Sequence, residues 1–184
     1  MFASVVFETF DIGPVILRKL SPEDLKWAFS HYNDEELKVF LGVSTDEALQ
    51  RERMKSDKGY TSYNRSMRLF QIIEKVNGRV IGGCGLHNWY ADHHRSEVGY
   101  VLNDDQYKNK GIMTAVLKFV LHYGFNVMHL HRIEALIGTR NIASQKLAMK
   151  YNFKQEGILK EHYFMNGVFE DSIVFGLLKQ DYKP

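Results

Sequence analysis

A single cysteine, Cys84, is present among the 184 residues, and this scarcity excludes an intrachain disulfide. Because structural disulfides belong to oxidising compartments, we expect a reducing, cytoplasmic setting. Cys84 lies in the apolar run 80–86, which predicts a small buried core residue rather than a nucleophile. The chain also lacks an N-terminal signal pattern and any apolar run near the roughly 18 residues that a membrane-spanning helix needs. We therefore expect no membrane partner.

An excess of charge of one sign is also missing. The 24 lysines and arginines and the 22 acidic residues give a net charge of +2, and they are interspersed without a basic block. Nucleic-acid binders typically carry a clustered basic patch, so we expect no direct nucleic-acid partner. The eight histidines include the pairs His93–His94 and His129–His131, but neither pair has a cysteine or acidic partner at metal-ligand spacing. We expect no metal site.

No proline- or glycine-rich linker, internal repeat or low-complexity tract divides the chain. With 45% hydrophobic and 13% aromatic residues, 184 residues suffice for one well-buried core and are few for two. We predict one domain over residues 1–184.

Apolar patterns and capping residues predict the elements of the first half of the chain. Ser21-Pro22-Glu23-Asp24 combines an N-cap, a proline at the first helical position and a capping-box acid. Asn77-Gly78 is a strong hairpin signal. We predict a strand over 15–20, a helix from Pro22 to about Tyr32, an irregular stretch over 33–44, a helix capped by Thr45 that runs to about Tyr63, and strands over 69–75 and 80–87.

The second half alternates strands and helices and ends in a hairpin at Asn166-Gly167. From Gly111 on, the spacing of a helix with one buried stripe is followed by Met113, Val116, Leu117, Val120, Leu121 and Gly124. We predict strands over 96–102 and 131–137 on either side of this helix, a shorter helix over 141–151, and hairpin strands over 156–164 and 168–178. A strand-helix-strand unit implies a parallel pair and hairpins imply antiparallel pairs, so we predict an α/β protein with a mixed sheet.

The loop before the long helix carries a functional signal. Lys108-Asn109-Lys110-Gly111 follows a strand and lies at the helix N-terminus. Unpaired N–H groups and the positive end of the helix dipole attract anions there, and a glycine lets the main chain approach a ligand closely. The spacing matches neither a nucleotide P-loop nor the glycine pattern of a dinucleotide fold. The unit is predicted to hold a phosphate-bearing ligand.

The segment Lys108–Met113 resembles the Gln/Arg-x-x-Gly-x-Gly/Ala loop of the GNAT superfamily of acyl-CoA-dependent N-acetyltransferases, although only Gly111 matches strictly. Further segments are similar to the RimJ/RimL branch, which comprises the ribosomal-protein N-terminal acetyltransferases and their relatives. These segments are 16–20, 85–88, 97–100, 141–144, 153–157 and 166–171. The likeness covers about Val15 to Tyr182 in the correct order, and this collinearity is more specific than any single motif.

The resemblance implies a GNAT fold, with a mixed, mostly antiparallel sheet of six to seven strands, flanking helices and a central splayed parallel pair. It also implies that acetyl-CoA is the co-substrate of a direct acetyl transfer to a primary amine. The residues expected to bind it are Tyr100, Val101 and Leu102, which would pair with pantetheine; Lys108, Asn109, Lys110, Gly111, Ile112, Met113 and Thr114, which would surround the pyrophosphate; and Asn141, which would reach the pantetheine arm.

Four positions depart from the family pattern. Lys108 keeps a cation in place of Gln or Arg, and Met113 replaces a small residue that would leave the loop more room. Asn152 occupies the position before Phe153 where the family usually has glycine. After glycine, asparagine is the residue best suited to a left-handed C-cap. The tyrosine that many GNAT enzymes use as general acid falls on Ala148, so that role must be empty or filled by another group.

Three side chains are candidates for the chemistry, which needs a neutral amine and a proton for the departing thiolate. Glu97 would take the amine proton, with desolvation raising its pKa toward neutrality, or else form a structural pair with Arg95 or a neighbouring strand. His87 is a second candidate base or substrate-orienting group, because an imidazole ordinarily titrates near 6.5, with a core histidine as the alternative. By the resemblance, Ser144 would protonate the sulfur, or it would help Asn141 to satisfy N–H groups at a helix start.

The acceptor and the oligomeric state are left open. The amine would be a protein N-terminal α-amine or a small amine such as a polyamine or aminoglycoside. The acids Asp34, Glu35 and Glu36 would favour a cationic acceptor or form a solvated helix end. A non-catalytic acyl-CoA-binding or regulatory module is the alternative to an enzyme, suggested by Ala148 and Met113. A homodimer is neither required nor excluded.

Overall fold

One mixed sheet joins the strands of the protein, whose structure is a computed structural model that describes residues 6–59 and 66–183. In that part of the chain the strands are Thr9–Asp11 (β1), Ile16–Leu20 (β2), Ser66–Ile73 (β3), Val80–Tyr90 (β4), Arg95–Leu102 (β5), Arg132–Gly138 (β6), Lys154–Met165 (β7) and Val168–Leu178 (β8). The helices are Pro22–His31 (α1), Asp34–Leu41 (α2), Asp46–Asp57 (α3), Ile112–His122 (α4) and Ile142–Lys150 (α5). A π-helical turn over Tyr123–Val127 continues α4.

The strand order is β1-β2-β3-β4-β5-β6-β8-β7, and only the β5–β6 pair is parallel among these neighbours. The parallel pairing follows from α4, which connects β5 to β6 as a crossover, whereas tight turns join the antiparallel hairpins. Both predicted hairpin turns are present, with left-handed backbone at Gly78, Asn166 and Gly167. The predicted mixed, mostly antiparallel sheet is confirmed.

The parallel pair diverges part of the way along its length. Its residue pairs are Arg95 with Arg132, Ser96 with Ile133 and Glu97 with Glu134. Beyond Glu97, β5 and β6 both continue, but the described strands form no further pair with each other. The splay predicted at the centre of the sheet is therefore confirmed, and Glu97 lies at its apex.

Helix α4 packs on one face of the sheet and explains why the strands stay together there. Its side chains at Val116, Leu117, Val120 and Leu121 are fully buried. They share the core with residues of five strands: Phe70, Ile72, Leu86, Val98, Ile133 and Phe175. Burial of a side chain of this size contributes about 1.5–3 kcal/mol relative to exposure. The predicted apolar stripe of α4 therefore stabilises the face of the sheet that carries the splayed pair.

Gly124, the last member of that stripe, is required by packing. A Cβ at this position would lie 2.9 Å from Ile133 Cδ1 and 3.2 Å from Leu86 Cδ1. Only glycine lets the end of the helix approach the sheet this closely.

The other face of the sheet carries α1, α2 and α3 over its first strands. Their buried side chains form a smaller cluster with β2, which consists of Leu20, Leu25, Ala28, Leu37, Phe40 and Leu49. Alternation along β5 places Glu97 and Gly99 on this second face, because Val98 points into the α4 core. Glu97 therefore lies on the face opposite α4.

The prediction of an irregular stretch over residues 33–44 is wrong. Helix α2 occupies it, because Asn33 and Glu36 form a reciprocal capping box and Gly42 ends the helix in a left-handed conformation. These capping signals are present in the sequence, but the helix is only 8 residues long, so its apolar pattern is short.

Two further boundaries differ from the prediction. Helix α3 ends at Asp57, and the left-handed Gly59 follows, so the predicted end near Tyr63 is wrong. Tyr63 itself lies outside the described residues. Strand β1 was not predicted, since three residues are too short for an apolar pattern, and it brings the described strands to eight.

Cys84 lies in the core at 1% exposure, as predicted. Burial raises the pKa of its thiol, which keeps it protonated and unreactive at neutral pH. Among the described helices, none combines the length and apolar character needed to cross a bilayer.

Candidate active site

A groove of about 450 Å³ lies between the end of β5, the following loop and the starts of α4 and α5. Its walls are formed by Tyr100, Val101, Leu102, Tyr107, Lys108, Asn109, Gly111, Ile112, Met113, Thr114, Asn141, Ala143, Ser144 and Leu147. This set contains every predicted cofactor residue except Lys110, which does not line the groove. The sequence prediction missed Tyr107, Ala143 and Leu147, which have no motif signal of their own.

The loop at one end of the groove presents main-chain donors. Asn109 and Gly111 both adopt left-handed backbone, with φ of 59° and 74°, and Gly111 is the N-cap residue of α4. A Cβ at Gly111 would meet nothing within 4 Å, so the space above it is open. The first turn of α4 contains no acidic residue, and its N–H groups have no partners within the helix. This end of the groove is suited to an anion.

Lys108 adds a positive charge to the same end. Its ammonium lies 2.5 Å from Asp105 Oδ1, and its side chain is more than half exposed. An exposed pair of this kind contributes little to stability, so the lysine can exchange Asp105 for a phosphate at small cost.

A narrow slot between the diverging strands continues from the groove. Its lining comprises Val98, Gly99, Tyr100, Ala135, Leu136, Ile137, Gly138, Asn141 and Ser144. Tyr100, Asn141 and Ser144 belong to both cavities, which are therefore continuous. Because β5 and β6 do not pair here, their facing N–H and C=O groups remain available to a ligand.

The start of α5 forms one wall of the slot. Asn141 caps the helix, since its side-chain oxygen accepts a hydrogen bond from the Ser144 N–H at 3.1 Å. The Tyr100 hydroxyl donates to the Ser144 carbonyl at 3.4 Å. The Ser144 side chain also hydrogen-bonds with the Tyr100 hydroxyl, which lowers the pKa of that phenol against the larger, raising effect of burial. Capping thus falls to Asn141, and Ser144 lines the groove and the slot beside Tyr100.

Glu97 is held at the apex of the splay by two residues of β4. His87 Nε2 lies 3.2 Å from Glu97 Oε1, and Asn88 Nδ2 donates to Oε2 at 3.0 Å. A β-bulge after His87 and left-handed backbone at Asn88 turn that amide toward the carboxylate. Arg95 does not pair with Glu97, because it binds Glu134 at 3.2 Å. Structural pairing with a neighbouring strand is thus present, with His87 as the partner.

The expected rise in the pKa of Glu97 is wrong. Burial acts to raise the pKa of this carboxyl, but the hydrogen bond and charge of His87, the hydrogen bond from Asn88 and the charge of His162 oppose it. The net pKa is below its ordinary value, so Glu97 is ionised at neutral pH. No sequence pattern predicts the bulge that brings Asn88 into place.

His87 lies over Gly99 on the same face. A Cβ at Gly99 would approach His87 Cε1 to 2.9 Å and Nδ1 to 3.5 Å, so glycine makes room for the ring. The His87 carbonyl accepts a hydrogen bond from the buried Ser96 hydroxyl at 2.7 Å, which fixes the strand beneath it. His87 is 40% exposed, so it is not the core histidine that was the alternative.

A second cavity, of about 590 Å³, adjoins the slot and shares Leu136, Gly138 and Asn141 with it. Its remaining walls come from Arg140 and from the β7–β8 hairpin: Tyr163, Met165, Glu170 and Asp171. None of these was predicted as a site residue. In the described parts of the chain, no cluster of three or more metal-ligating side chains occurs here or elsewhere.

Known proteins share this architecture. The profile of the family described as "Acetyltransferase (GNAT) domain" matches residues 15–154. The chain is 27% identical over 175 residues to YoaA of Bacillus subtilis (strain 168), which is described as an uncharacterized N-acetyltransferase, covering 95% of this chain and 98% of that protein.

Solved structures have the same fold. The ribosomal-protein-S5-alanine acetyltransferase from Vibrio fischeri has a TM-score of 0.66 at 23% identity, covering 96% of this chain and 100% of that one. The spermidine N-acetyltransferase from Vibrio cholerae, solved in complex with CoA and spermine, has a TM-score of 0.67 at 21% identity, covering 92% of this chain and 98% of that one.

The acetyltransferase profile matches most of the chain, and the mixed sheet with one parallel pair is shared with these solved structures, so the protein is an acyl-CoA-dependent transferase. The chain belongs to the GNAT family of acetyltransferases. Its function is acetyl-CoA-dependent N-acetyl transfer to an amine, and its similarities are consistent with the RimJ/RimL-like branch. The alternative of a non-catalytic module is not supported, since the similar proteins are named as N-acetyltransferases.

Proposed function

We propose that the protein acetylates a primary amine directly, and that the α-amine of a protein N-terminus is its first candidate acceptor. The observation that carries the proposal is the continuous path from the Gly111 loop, through Tyr100 and Ser144, to Gly99, two residues after Glu97 at the point where β5 and β6 part. When bound, acetyl-CoA supplies an activated acetyl thioester. The chain's own residues bind it, orient it and move the protons.

The binding roles follow the order of the cavities. Lys108 and the N–H groups of Asn109 to Thr114 would hold the pyrophosphate. The unpaired main chain of Tyr100 to Leu102 and the Asn141 side chain would bind the pantetheine amides. Met113 lines the groove without closing it, so the loop accommodates this substitution of a small residue.

Glu97 and His87 would act as a pair at the acceptor. An ionised carboxylate with a lowered pKa is a weak base, but it orients an imidazole well. With a proton on Nε2, His87 donates to Glu97 and offers the Nδ1 lone pair above Gly99, which lines the slot. We assign deprotonation of the amine to this pair, with Glu97 as the orienting member.

Ser144 would complete the reaction on the other side of the slot. Its hydroxyl lines the groove and the slot, so it can give a proton to the departing thiolate and regain one from water. Cys84 is an unsuitable acyl carrier, because it is buried and the pKa of its thiol is raised. Both observations support direct transfer.

The preference for an α-amine rests on the pKa of the acceptor and on the partners of three acidic residues. α-Amines titrate at about 7.7–8.0 and lysine-type amines at about 10.4, so an α-amine is easier for a weak base to deprotonate. The acids that suggested a cationic acceptor are engaged elsewhere: Glu35 binds Lys38, Asp34 binds Arg53, and Glu36 caps α2. A small amine is the second candidate, because a related fold was solved in complex with spermine.

The test is a mass-spectrometric assay with acetyl-CoA and matched acceptors. The panel consists of a peptide with a free N-terminus, the same peptide with a blocked N-terminus and one free lysine, and spermidine. We expect the free α-amine to react with the highest kcat/KM. Equal rates on the blocked lysine peptide would refute the α-amine preference, and no product from any amine would refute the proposed transfer.

Glu97→Gln tests the base in the same assay. At pH values below the pKa of the amine, where a proton must still be removed, we expect kcat/KM to fall on the order of a hundredfold. At pH values above that pKa, the fall should be smaller. Glu134→Gln is the matched control, because this carboxylate lies opposite Glu97 on β6 but binds Arg95 and Arg132. An unchanged pH profile in Glu97→Gln would move the base role to His87 alone or to water.

A further inference from the structure

The side chain of Tyr100 reaches the same wall of the site as Ser144. Tyr100 lies two residues after the buried Val98 on β5, so its ring is on the α4 face of the sheet, where it packs against the main core. Like Ser144, it lines both the groove and the slot. The binding of pantetheine uses only the main chain of Tyr100, so its phenol is a polar group of the site without a role.

The phenol contacts Ser144 but is weakly anchored. Its hydroxyl donates to the Ser144 carbonyl at 3.4 Å and hydrogen-bonds with the Ser144 side chain. Bonds between a hydroxyl and an oxygen are ordinarily about 2.5–3.0 Å long, so the bond to the carbonyl is a poor structural tie. The Tyr151 hydroxyl provides the contrast, because it donates to the Thr114 carbonyl at 2.6 Å. The Tyr100 hydroxyl can therefore turn to another acceptor at small cost.

The slot offers few other sources of a proton. Among the described residues that line it, Tyr100 carries the only titratable side chain. From α5 the wall receives Asn141, which caps the helix, and Ser144. A proton that Ser144 gives away must therefore be replaced by water or by the neighbouring phenol.

A phenol is better matched to a thiolate than an alcohol is. Free thiols titrate near about 8.5 and phenols near about 10, whereas a serine hydroxyl does not titrate in this range. Proton transfer is most efficient when the donor lies close to the acceptor in pKa. Burial raises the pKa of the Tyr100 phenol above its ordinary value, although the hydrogen bond with Ser144 opposes this rise. The phenol thus keeps its proton at neutral pH.

We propose that Tyr100 is the proton source behind Ser144 in the transfer reaction. As the bond between the acyl carbon and sulfur breaks, the Ser144 hydroxyl gives its proton to the thiolate and takes the phenolic proton of Tyr100. The phenolate then takes a proton from water, which reaches it because Tyr100 is only half-buried on the groove wall. The inference rests on the proposed function, because it supplies the proton that the proposed transfer consumes.

The first test compares Tyr100→Phe with Tyr151→Phe by steady-state kinetics. Each change removes one phenolic hydroxyl from a half-buried ring that donates to a main-chain carbonyl, but Tyr151 lines neither the groove nor the slot. We expect Tyr100→Phe to lower kcat roughly ten- to a hundredfold with the KM for acetyl-CoA nearly unchanged, because the main chain that binds pantetheine is retained. Tyr151→Phe should keep the kcat of the wild type.

A normal kcat in Tyr100→Phe, in an enzyme that does turn over, would overturn the role of Tyr100 and leave the proposed function intact. A raised KM with normal kcat would likewise reduce the phenol to a structural contact.

The double variant Tyr100→Phe/Ser144→Ala tests whether the two hydroxyls act in series. Once Ser144 cannot pass a proton on, removal of the phenol should cost nothing further, so we expect the kcat of Ser144→Ala alone. A loss equal to the product of the two single losses would show independent action and overturn the relay.

A further measurement needs neither an acceptor nor turnover. The thiol of bound CoA is titrated by the ultraviolet absorbance of its thiolate, with the desulfo-CoA complex of the same variant as the blank. Hydrogen bonds to a thiolate lower the pKa of the thiol, and a chain of hydroxyls strengthens its last donor. We therefore expect the thiol pKa to shift upward in Tyr100→Phe and in Ser144→Ala, but not in Tyr151→Phe.

An equal thiol pKa in the wild type and in Tyr100→Phe would overturn the proposal outright. Absence of turnover by the wild type with every amine would instead refute the proposed function and, with it, the relay.

Discussion

The main chain and the side chain of Ser144 have different roles. Its N–H completes the cap made by Asn141, while its side chain lines the groove and the slot beside the Tyr100 hydroxyl. The two interpretations that the sequence left open therefore fall on different atoms, and the capping side chain belongs to Asn141.

Ser144→Ala is expected to lower kcat by about ten- to a hundredfold with the KM for acetyl-CoA nearly unchanged, because the hydroxyl acts on the leaving group rather than in binding. Steady-state kinetics measures the split. Asn141→Ala is the comparison: losing the cap costs about 1 kcal/mol of stability, and losing a pantetheine contact raises the KM. A raised KM with normal kcat in Ser144→Ala would contradict the assignment.

At the same scale, the sequence singled out Glu97, His87 and Ser144 as candidates but did not predict the lowered pKa of Glu97. The direction of that pKa depends mainly on His87 and Asn88, which come from the neighbouring strand β4. A bulge after His87 brings Asn88 to the carboxylate, and a bulge has no reliable single-sequence signature. Desolvation alone, which was all that the apolar strand indicated, gave the wrong sign.

At the scale of elements, the α4 N-terminus combines a conformational demand with a binding function. Gly111 needs its left-handed backbone to start the helix, and the open space above it leaves the first N–H groups accessible. The long helix was predictable because its apolar stripe is regular, whereas the short α2 and β1 carried too little pattern.

Gly111→Ala should cost about 1 kcal/mol of stability, since L-residues are strained at this φ, and it should also raise the KM for acetyl-CoA. Gly78→Ala is a matched control: Gly78 has φ of 70° and open space as well, but it lies in the β3–β4 turn. Thermal unfolding should show similar losses for both variants. Steady-state kinetics should separate the two variants, because only Gly111→Ala should raise the KM for acetyl-CoA. An equal KM in the two variants would contradict a phosphate contact at Gly111.

At the scale of the whole molecule, the site exists because β5 and β6 pair and then part. Three residue pairs hold the strands together up to Glu97, and α4 keeps them anchored beneath the splay. The order of strands and helices was sufficient to predict a mixed sheet, and the family resemblance predicted the splay. Neither could predict that the β7–β8 hairpin lines the second cavity beside the slot, because that depends on the register of its strands.

The central claim is that groove and slot form one acetyl-CoA site that ends at Glu97. A crystal structure with acetyl-CoA bound tests it most directly. We expect the pyrophosphate against the N–H groups of the Gly111 loop, the pantetheine between β5 and β6, and the thioester sulfur within hydrogen-bonding distance of the Ser144 hydroxyl. A thioester bound outside the slot, away from both Ser144 and the Glu97–His87 pair, would contradict the account.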